Sequence, residues 1–210
     1  MIKTKKELKF YIMADRIMNG YNPNNSIKSK LTDAVLGIGG SVLFLKYMRK
    51  VDYYSHQTGF LNKLKYYYNF RKYNKISLRL GYDICPDCFG YGLVLPHIGT
   101  KVVGGGNRIG NYAVLHTSTC ITAGNKVIGD GLYLSAGAKI IKDVHLGNNV
   151  TISVNTVVNK DFPDDNSLLI GMPAQMIKTS YPAWYERDGG QYAERVKSIE
   201  ALKNKMNLNC

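Results

Sequence analysis

Residues 127–158 read VIGDGLYLSAGAKIIKDVHLGNNVTISVNTVV, and every sixth residue from Ile128 is aliphatic: Leu134, Ile140, Leu146, Ile152 and Val158. An earlier phase supplies Val103, Ile109, Leu115 and Ile121, after which one extra residue slips the frame. Four positions after these aliphatics stand smaller or branched residues: Ala113, Thr119, Leu132, Ala138, Val144, Val150 and Thr156. Turn formers fill the gaps, as in Gly129-Asp130-Gly131 and Gly147-Asn148-Asn149. Neither the 3.6 period of a helix nor the 2.0 period of a strand gives this pattern. A short strand, a turn and another short strand give it when the chain winds as a triangular solenoid. The spacing therefore predicts a mainly β fold, a parallel β-helix of hexapeptide repeats from about Val94 to Val158. Stacked coils bury what a single hexad could not.

Outward from that coil the pattern turns helical. Residues 5–18 carry an apolar stripe of Leu8, Tyr11, Ile12 and Ile17, ended by Asn19-Gly20 and Asn22-Pro23-Asn24-Asn25. Helices are also expected at about 29–36, 42–54 and 59–80, the last of these basic and aromatic. Its Tyr and Lys residues could stack on bases or sugars, but at helical spacing core and subunit packing is the favoured reading. On the other side of the coil, Gly171-Met172-Pro173-Ala174 marks a sharp exit. A last amphipathic helix aligns Tyr192, Val196, Ile199, Leu202 and Met206, and must cap the coil or pack on a neighbour. The expected units are a basic α-helical segment 1–80, a β-helix domain 81–178, and a C-terminal linker and helix 179–210.

The 210 residues carry a formal net charge of +13. Residues 1–80 hold 16 basic and 4 acidic side chains, so +12 of that sits in the N-terminal segment. Such a segment suits an anionic membrane surface, nucleic acid or acidic carbohydrate. No nucleic-acid motif accompanies it, which argues against nucleic acid. The start, Met1-Ile2-Lys3-Thr4-Lys5-Lys6, has no apolar h-region, and the run 34–45 is too short and Gly-rich to span a bilayer. A cytoplasmic protein is expected, peripheral at the inner face of the membrane. Cys85-Pro86-Asp87-Cys88 lacks a second pair or a His cluster, so reduced thiols and no metal are expected.

Three histidines are candidate bases. His145 follows Val144, where a solvated corner is expected; His116 opens the Thr117-Ser118-Thr119 run; His97 precedes the Gly104-Gly105-Gly106 run. His56 has no supporting motif. Extending the six-residue frame backwards puts His97 on an inward column and leaves His116 facing solvent. Cys120 falls among turn residues, which disfavours it as a nucleophile.

The segment from Leu93 through His97 to Val103, the hexads and Gly171-Met172-Pro173-Ala174 resemble the serine acetyltransferase family of left-handed β-helix, acetyl-CoA-dependent O-acyltransferases. Within it the chain looks closest to the shorter branch encoded with bacterial capsule and surface-polysaccharide genes. The resemblance implies His97 as the base that takes the acceptor's hydroxyl proton, with Asp83 as the carboxylate orienting it and Asp87 as runner-up. It implies acetyl-CoA contacts at Ala123, Gly124, Ser135, Ala136, Gly137 and Val154, with Gly171, Pro173, Ala174 and Lys178 nearer the nucleotide. Acceptor contacts are expected at His116, Gly105 and Gly106. A homotrimer is implied, with acetyl-CoA bound between neighbouring coils.

The departures bear on the acceptor. Only Gly124-Asn125-Lys126-Val127 stands where the serine enzymes carry a long loop with an Arg-His pair for the substrate carboxylate, and Gly105-Gly106 replaces an acidic residue and a threonine. An amino acid in a buried site needs partners for both its charges. A sugar hydroxyl of a surface polysaccharide or its precursor does not, and is the expected acceptor. L-serine is the alternative, and a non-catalytic hexapeptide scaffold is a reading of a different class.

Overall fold

Every aliphatic of the six-residue frame points inward in the computed structural model, which describes residues 2–23, 39–187 and 190–208. Three flat faces enclose them. Strands β1 (Tyr82–Ile84), β2 (Lys101–Val103), β5 (Thr119–Ile121), β8 (Lys139–Ile140) and β11 (Val157–Val158) stack in parallel as face A. Strands β3 (Arg108–Ile109), β6 (Val127–Ile128) and β9 (His145–Leu146) form face B. Face C comprises β4 (Val114–Leu115), β7 (Tyr133–Leu134), β10 (Thr151–Ile152) and β12 (Leu168–Ile170), with β13 (Gln175–Lys178) added antiparallel. Val103, Ile121, Ile140 and Val158 fill the axis from face A, Ile109, Ile128 and Leu146 from B, and Leu115, Leu134, Ile152 and Leu169 from C. The secondary column is buried as well, from Ala113 and Thr119 through Thr156. The frame slip is absorbed where face A turns to face B, around Asn125 and the buried Lys126, whose ammonium donates to the Thr122 carbonyl at 2.9 Å.

The three edges differ in how they turn, and sequence dictates each. Where B turns to C, the corners read Gly110-Asn111-Tyr112, Gly129-Asp130-Gly131 and Gly147-Asn148-Asn149. The first place is glycine because coils touch there: a Cβ on Gly110 would lie 2.7 Å from the Asp130 backbone nitrogen. The middle Asn or Asp accepts from the backbone of the coil before it, as in Asn111 N to Asp130 Oδ1 at 2.7 Å and Asn148 N to Asp165 Oδ1 at 2.6 Å. That donation holds the Asp165 carboxyl below the usual carboxylate range.

Helices pack over the start of the coil. Helix α1 (Lys5–Met18) opens with a reciprocal Thr4–Glu7 capping box. Helix α2 is Gly40–Ser55 and α3 is Phe60–Leu80. The helix expected at 29–36 lies outside the described residues. One buried ion pair ties these helices to the coil: Arg49 Nε donates to Asp15 Oδ2 at 2.8 Å, and Asp15 Oδ1 accepts from the Gly92 and Leu93 amides. After the coil come a single turn, α4 (Trp184–Arg187), and α5 (Gln191–Lys205). The expected stripe of α5 packs on α1 within its own chain, with Ile199 fully buried and Glu200 accepting from the Tyr91 and Tyr112 hydroxyls. The aromatics of α3 divide between the chain's own core and its surface. Tyr73 is buried, but Tyr67 and Tyr68 face solvent.

Candidate active site

The edge where face C turns to face A gathers most of the expected site. Its corners are, coil by coil, His97-Ile98-Gly99, His116-Thr117-Ser118, Ser135-Ala136-Gly137, Ser153-Val154-Asn155 and Gly171-Met172-Pro173. The third residue is left-handed in four of them: Gly99 φ 133°, Ser118 φ 60°, Gly137 φ 73° and Asn155 φ 55°. The ladder between coils uses the flanking amides, as in His116 N to Leu134 O and Gly137 N to Thr117 O. The apex amides of Thr117, Ala136 and Val154 make no hydrogen bond among the described residues. They are left as a row of donors along the edge.

His97 heads this edge and departs from the inward position that the frame assigns it. Its own φ is 61°, which swings the side chain out to solvent. Two groups pin its carbonyl: the Tyr82 hydroxyl at 2.8 Å and the Lys101 ammonium at 2.9 Å. Lys101 is wholly buried beneath the corner, and burial lowers its ammonium to about 8. The imidazole of His97 makes no hydrogen bond among the described residues. The ring of His116 lies 6.5 Å away, centroid to centroid. His116 is half-buried rather than turned fully to solvent, and its Nε2 shares a 2.8 Å hydrogen bond with the Tyr133 hydroxyl.

Two residues that sequence reasoning missed extend this cluster. Tyr133 packs on Trp184, and the guanidinium of Arg187 stacks over Tyr133 at 5.5 Å while donating to Tyr181 and Thr151. Arg187 thus brings a cation to the side of the edge where His116 sits. Its only signal in sequence was an ordinary charged residue on a one-turn helix.

Among the described residues, neither expected carboxylate hydrogen-bonds to His97. Asp83 is the exposed middle residue of β1, on the outward side of face A, and makes no hydrogen bond or ion pair with His97; Tyr82 on the inward side bonds to the His97 carbonyl instead. The charge of Asp83 bears on Tyr73, whose phenol burial and that carboxylate push up. Asp87 accepts from the Cys85 thiol at 3.2 Å, on the next edge.

The remaining candidates divide between edges. Gly105, Gly106, Ala123 and Gly124 line the edge from A to B, where a Cβ on Gly106 would strike the Gly124 carbonyl. Ala174 is buried behind the exposed Met172-Pro173 turn, and Lys178 ends β13. His145 is an exposed strand residue in β9, not a corner. Cys120 likewise lies in β5, half-buried on the outside of face A rather than in a turn. The ligating atoms of Cys85, Asp87 and Cys88 fall within 4.8 Å of one another. Burial, first of all, raises both thiols, Cys88 to about 12, and the Cys88 thiol donates to the Gly104 carbonyl at the Gly104–Gly106 corner.

No family model matches this chain. Among curated proteins it is 31% identical to a serine acetyltransferase of Buchnera aphidicola subsp. Acyrthosiphon pisum over 113 residues, 50% of this chain and 41% of that one. It is 28% identical to the serine acetyltransferase of Haemophilus influenzae over 144 residues, 65% of this chain and 51% of that one. The chain thus spans about half the length of the curated relatives it matches. Among solved structures, a serine acetyltransferase in complex with CoA aligns at a TM-score of 0.56 and 22% identity, covering 81% of this chain and 68% of that one. That likeness carries the fold, a left-handed β-helix with helices at both ends. The chain is also 32% identical to a bifunctional protein GlmU of Bifidobacterium longum subsp. infantis over 82 residues, 39% of this chain and 16% of that one. These relatives do not show the capsule branch that the sequence suggested; the chain is similar to serine acetyltransferases in sequence over about half its length and in fold.

Proposed function

We propose that this chain is an acetyl-CoA-dependent O-acetyltransferase whose site lies on the edge from face C to face A, with His97 as general base and L-serine as acceptor. One observation carries the choice of base. His116 has its Nε2 committed to Tyr133, whereas the His97 ring is exposed and makes no hydrogen bond among the described residues. A general base must come within about 3 Å of the proton it takes, and imidazole is the side chain whose ordinary titration range brackets neutral pH. His97 takes the hydroxyl proton as the acceptor oxygen attacks the thioester carbonyl, forming a C–O bond and an oxyanion. Collapse of that intermediate breaks the C–S bond, and the departing CoA sulfur receives the proton from the imidazolium. Donors aimed at the developing oxyanion supply the electrostatic part of the catalysis; the apex amides of Thr117, Ala136 and Val154 are suited to this and to the pantetheine amides.

Ser135, Ala136, Gly137, Val154, Gly171, Pro173, Ala174 and Lys178 lie toward one edge, and Ala123 and Gly124 on another. One extended thioester reaches both sets if it lies between two copies, each presenting a different edge, which favours a homotrimer with shared sites. Asp83, exposed on face A between those edges, would then meet the histidine of a neighbouring copy.

The serine acetyltransferases among the relatives favour serine over a polysaccharide hydroxyl. A specific observation keeps a sugar acceptor as second reading: the corner at Gly124–Val127 carries no loop to hold an amino acid's carboxylate. Acetyl-CoA consumption, read as free thiol released, separates the two. Turnover with L-serine at micromolar to millimolar concentration supports the first reading. Turnover with sugars and none with serine moves the assignment to the second. No turnover with either, and no thermal shift with CoA, removes both in favour of a binding scaffold.

A further inference from the structure

Helix α3 carries a face that the fold does not use. Its buried residues, Asn69, Tyr73, Ser77 and Leu80, recur at helical spacing and seat it on the first coil, where the Tyr73 and Ser77 hydroxyls donate to the Ile84 and Tyr82 carbonyls. The opposite side exposes Phe60, Leu61, Leu64, Tyr67, Tyr68 and Leu78, from 50% to 86% accessible. Interleaved with them, and all exposed, are Lys63, Lys65, Arg71, Lys72, Lys75 and Arg79. The helix contains no acidic residue in 21 positions. Isolated surface leucines need no explanation, but large apolar side chains from Phe60 to Tyr68, with Leu78 further along the same side, mark an interaction face.

We infer that the exposed face of α3 docks on an anionic lipid bilayer, its aromatic and leucine side chains entering the headgroup boundary and its lysines and arginines pairing with lipid phosphates. A helix with apolar and aromatic side chains flanked by Lys and Arg is built to lie in that interface, and basic side chains beside a charged leaflet add attraction that salt removes. The Lys72 ammonium sits over the Tyr68 ring at 5.8 Å, the arrangement of an amphipathic pair at an interface.

Two other occupants fit less well. A second copy of the same face would bring six further cations against these six with no acid between them, and each copy carries +13 overall. Like charges brought together and desolvated oppose such a contact. Single-stranded nucleic acid would use the cations and tyrosines, but gives no place to Leu61, Leu64 and Leu78. This inference does not depend on which hydroxyl the enzyme acetylates. It would set the His97 end of the coil toward the bilayer, since α3 packs on β1 and Tyr82 of that strand holds His97.

Co-sedimentation of the full chain with phosphatidylcholine vesicles, with and without phosphatidylglycerol, tests it. The wild type is expected on the anionic vesicles only, and to be released as salt rises from about 0.1 M to about 1 M. Arg71→Gln/Lys72→Gln/Lys75→Gln should weaken binding on the order of 100-fold. Leu64→Ser/Leu78→Ser should also weaken it at unchanged charge, which a purely electrostatic contact would not show. All five side chains are exposed, so unchanged melting temperatures confirm that the variants fold. Absent binding to anionic vesicles, or equal binding to neutral ones, overturns the inference. So does a leucine variant that changes oligomeric mass while wild type ignores vesicles, which assigns the face to a second copy. Binding to duplex DNA or heparin without vesicle binding overturns it in favour of a soluble polyanion.

Discussion

Replacing Asp15 by alanine should be among the most damaging single changes in the helical segment, although Asp15 touches nothing in the proposed reaction. Arg49 is fully buried and Asp15 is 1% accessible. The guanidinium donates to both carboxylate oxygens, at 2.8 and 3.1 Å, and to the Phe89 and Gly90 carbonyls at 2.8 and 2.6 Å. Without the carboxylate, Arg49 keeps its charge in a dry site, and the Gly92 and Leu93 amides lose their acceptor. Breaking a buried pair by removing one partner costs about 3–5 kcal/mol, and each orphaned donor about 1–3 kcal/mol. These overlap, so about 4 kcal/mol is the working figure. For a domain of this size 1 kcal/mol moves the melting temperature by about 2–4 °C, giving a fall of about 8–16 °C. Calorimetry at one fixed protein concentration measures it, because assembly makes melting concentration-dependent. Asp15→Ala/Arg49→Met removes the charge along with its partner and should recover part of the loss. A fall below about 3 °C in the single variant, or a double variant less stable than the single, would refute the reasoning.

Four further outcomes are expected. His97→Ala should lower acetyl transfer by about 10²–10⁴-fold with CoA affinity retained in a thermal-shift titration, whereas His116→Ala should act mainly on the KM for the acceptor. Gly110→Ala places a Cβ 2.7 Å from the Asp130 nitrogen without any strain in φ, and should cost about 1–3 kcal/mol by overpacking in urea unfolding. Lys101 is lowered to about 8, so the unfolded chain binds its proton more tightly than the folded one between about pH 8 and pH 10; stability should rise with pH across that window and lose that slope in Lys101→Met. Above pH 10 the trend should reverse, since burial, aided by the Glu200 carboxylate, raises the Tyr91 and Tyr112 phenols above their unfolded values and that stabilisation fades as they ionise.

The inward columns were legible because burial in a solenoid repeats with the chain's own period. Ile128 and Ile152 obey the same contact rule on different coils, so each counts as a separate vote for the same frame. The signal fails where repetition fails. His97 sits in the first coil, before the frame is established, and its left-handed backbone rotates it out of the column that extrapolation assigns. Cys120 and His145 were misplaced by the same arithmetic, which counts residues between aliphatics but does not say whether a residue belongs to a strand of two or of three. Asp15 and Arg49 were illegible for a different reason. A charged residue on an amphipathic helix reads as solvated unless its partner is known, and theirs is set by a contact across 34 positions together with backbone groups of the coil.

The same reasoning separates what one chain can hold from what it cannot. Small residues at corners are readable as places where backbones approach, and both Gly104–Gly106 and Ser135–Gly137 are such places. Sequence does not say that they lie on different edges, because spacing fixes a residue's place within a coil only after the edges are numbered. Once they are, the proposed ligand touching both sets would need a second copy at the groove, and so, on the proposed reading, would Asp83 on face A serving His97 at its edge. Asp83→Asn therefore offers a test specific to assembly. Mixed with His97→Ala protein and allowed to exchange subunits, it should regain part of the activity that either variant lacks alone, because some interfaces then pair an intact aspartate with an intact histidine. Mixing without recovery, under conditions where mass analysis shows exchanged trimers, would place the orienting group within a single chain and return the search to Tyr82 and Lys101 beneath the corner.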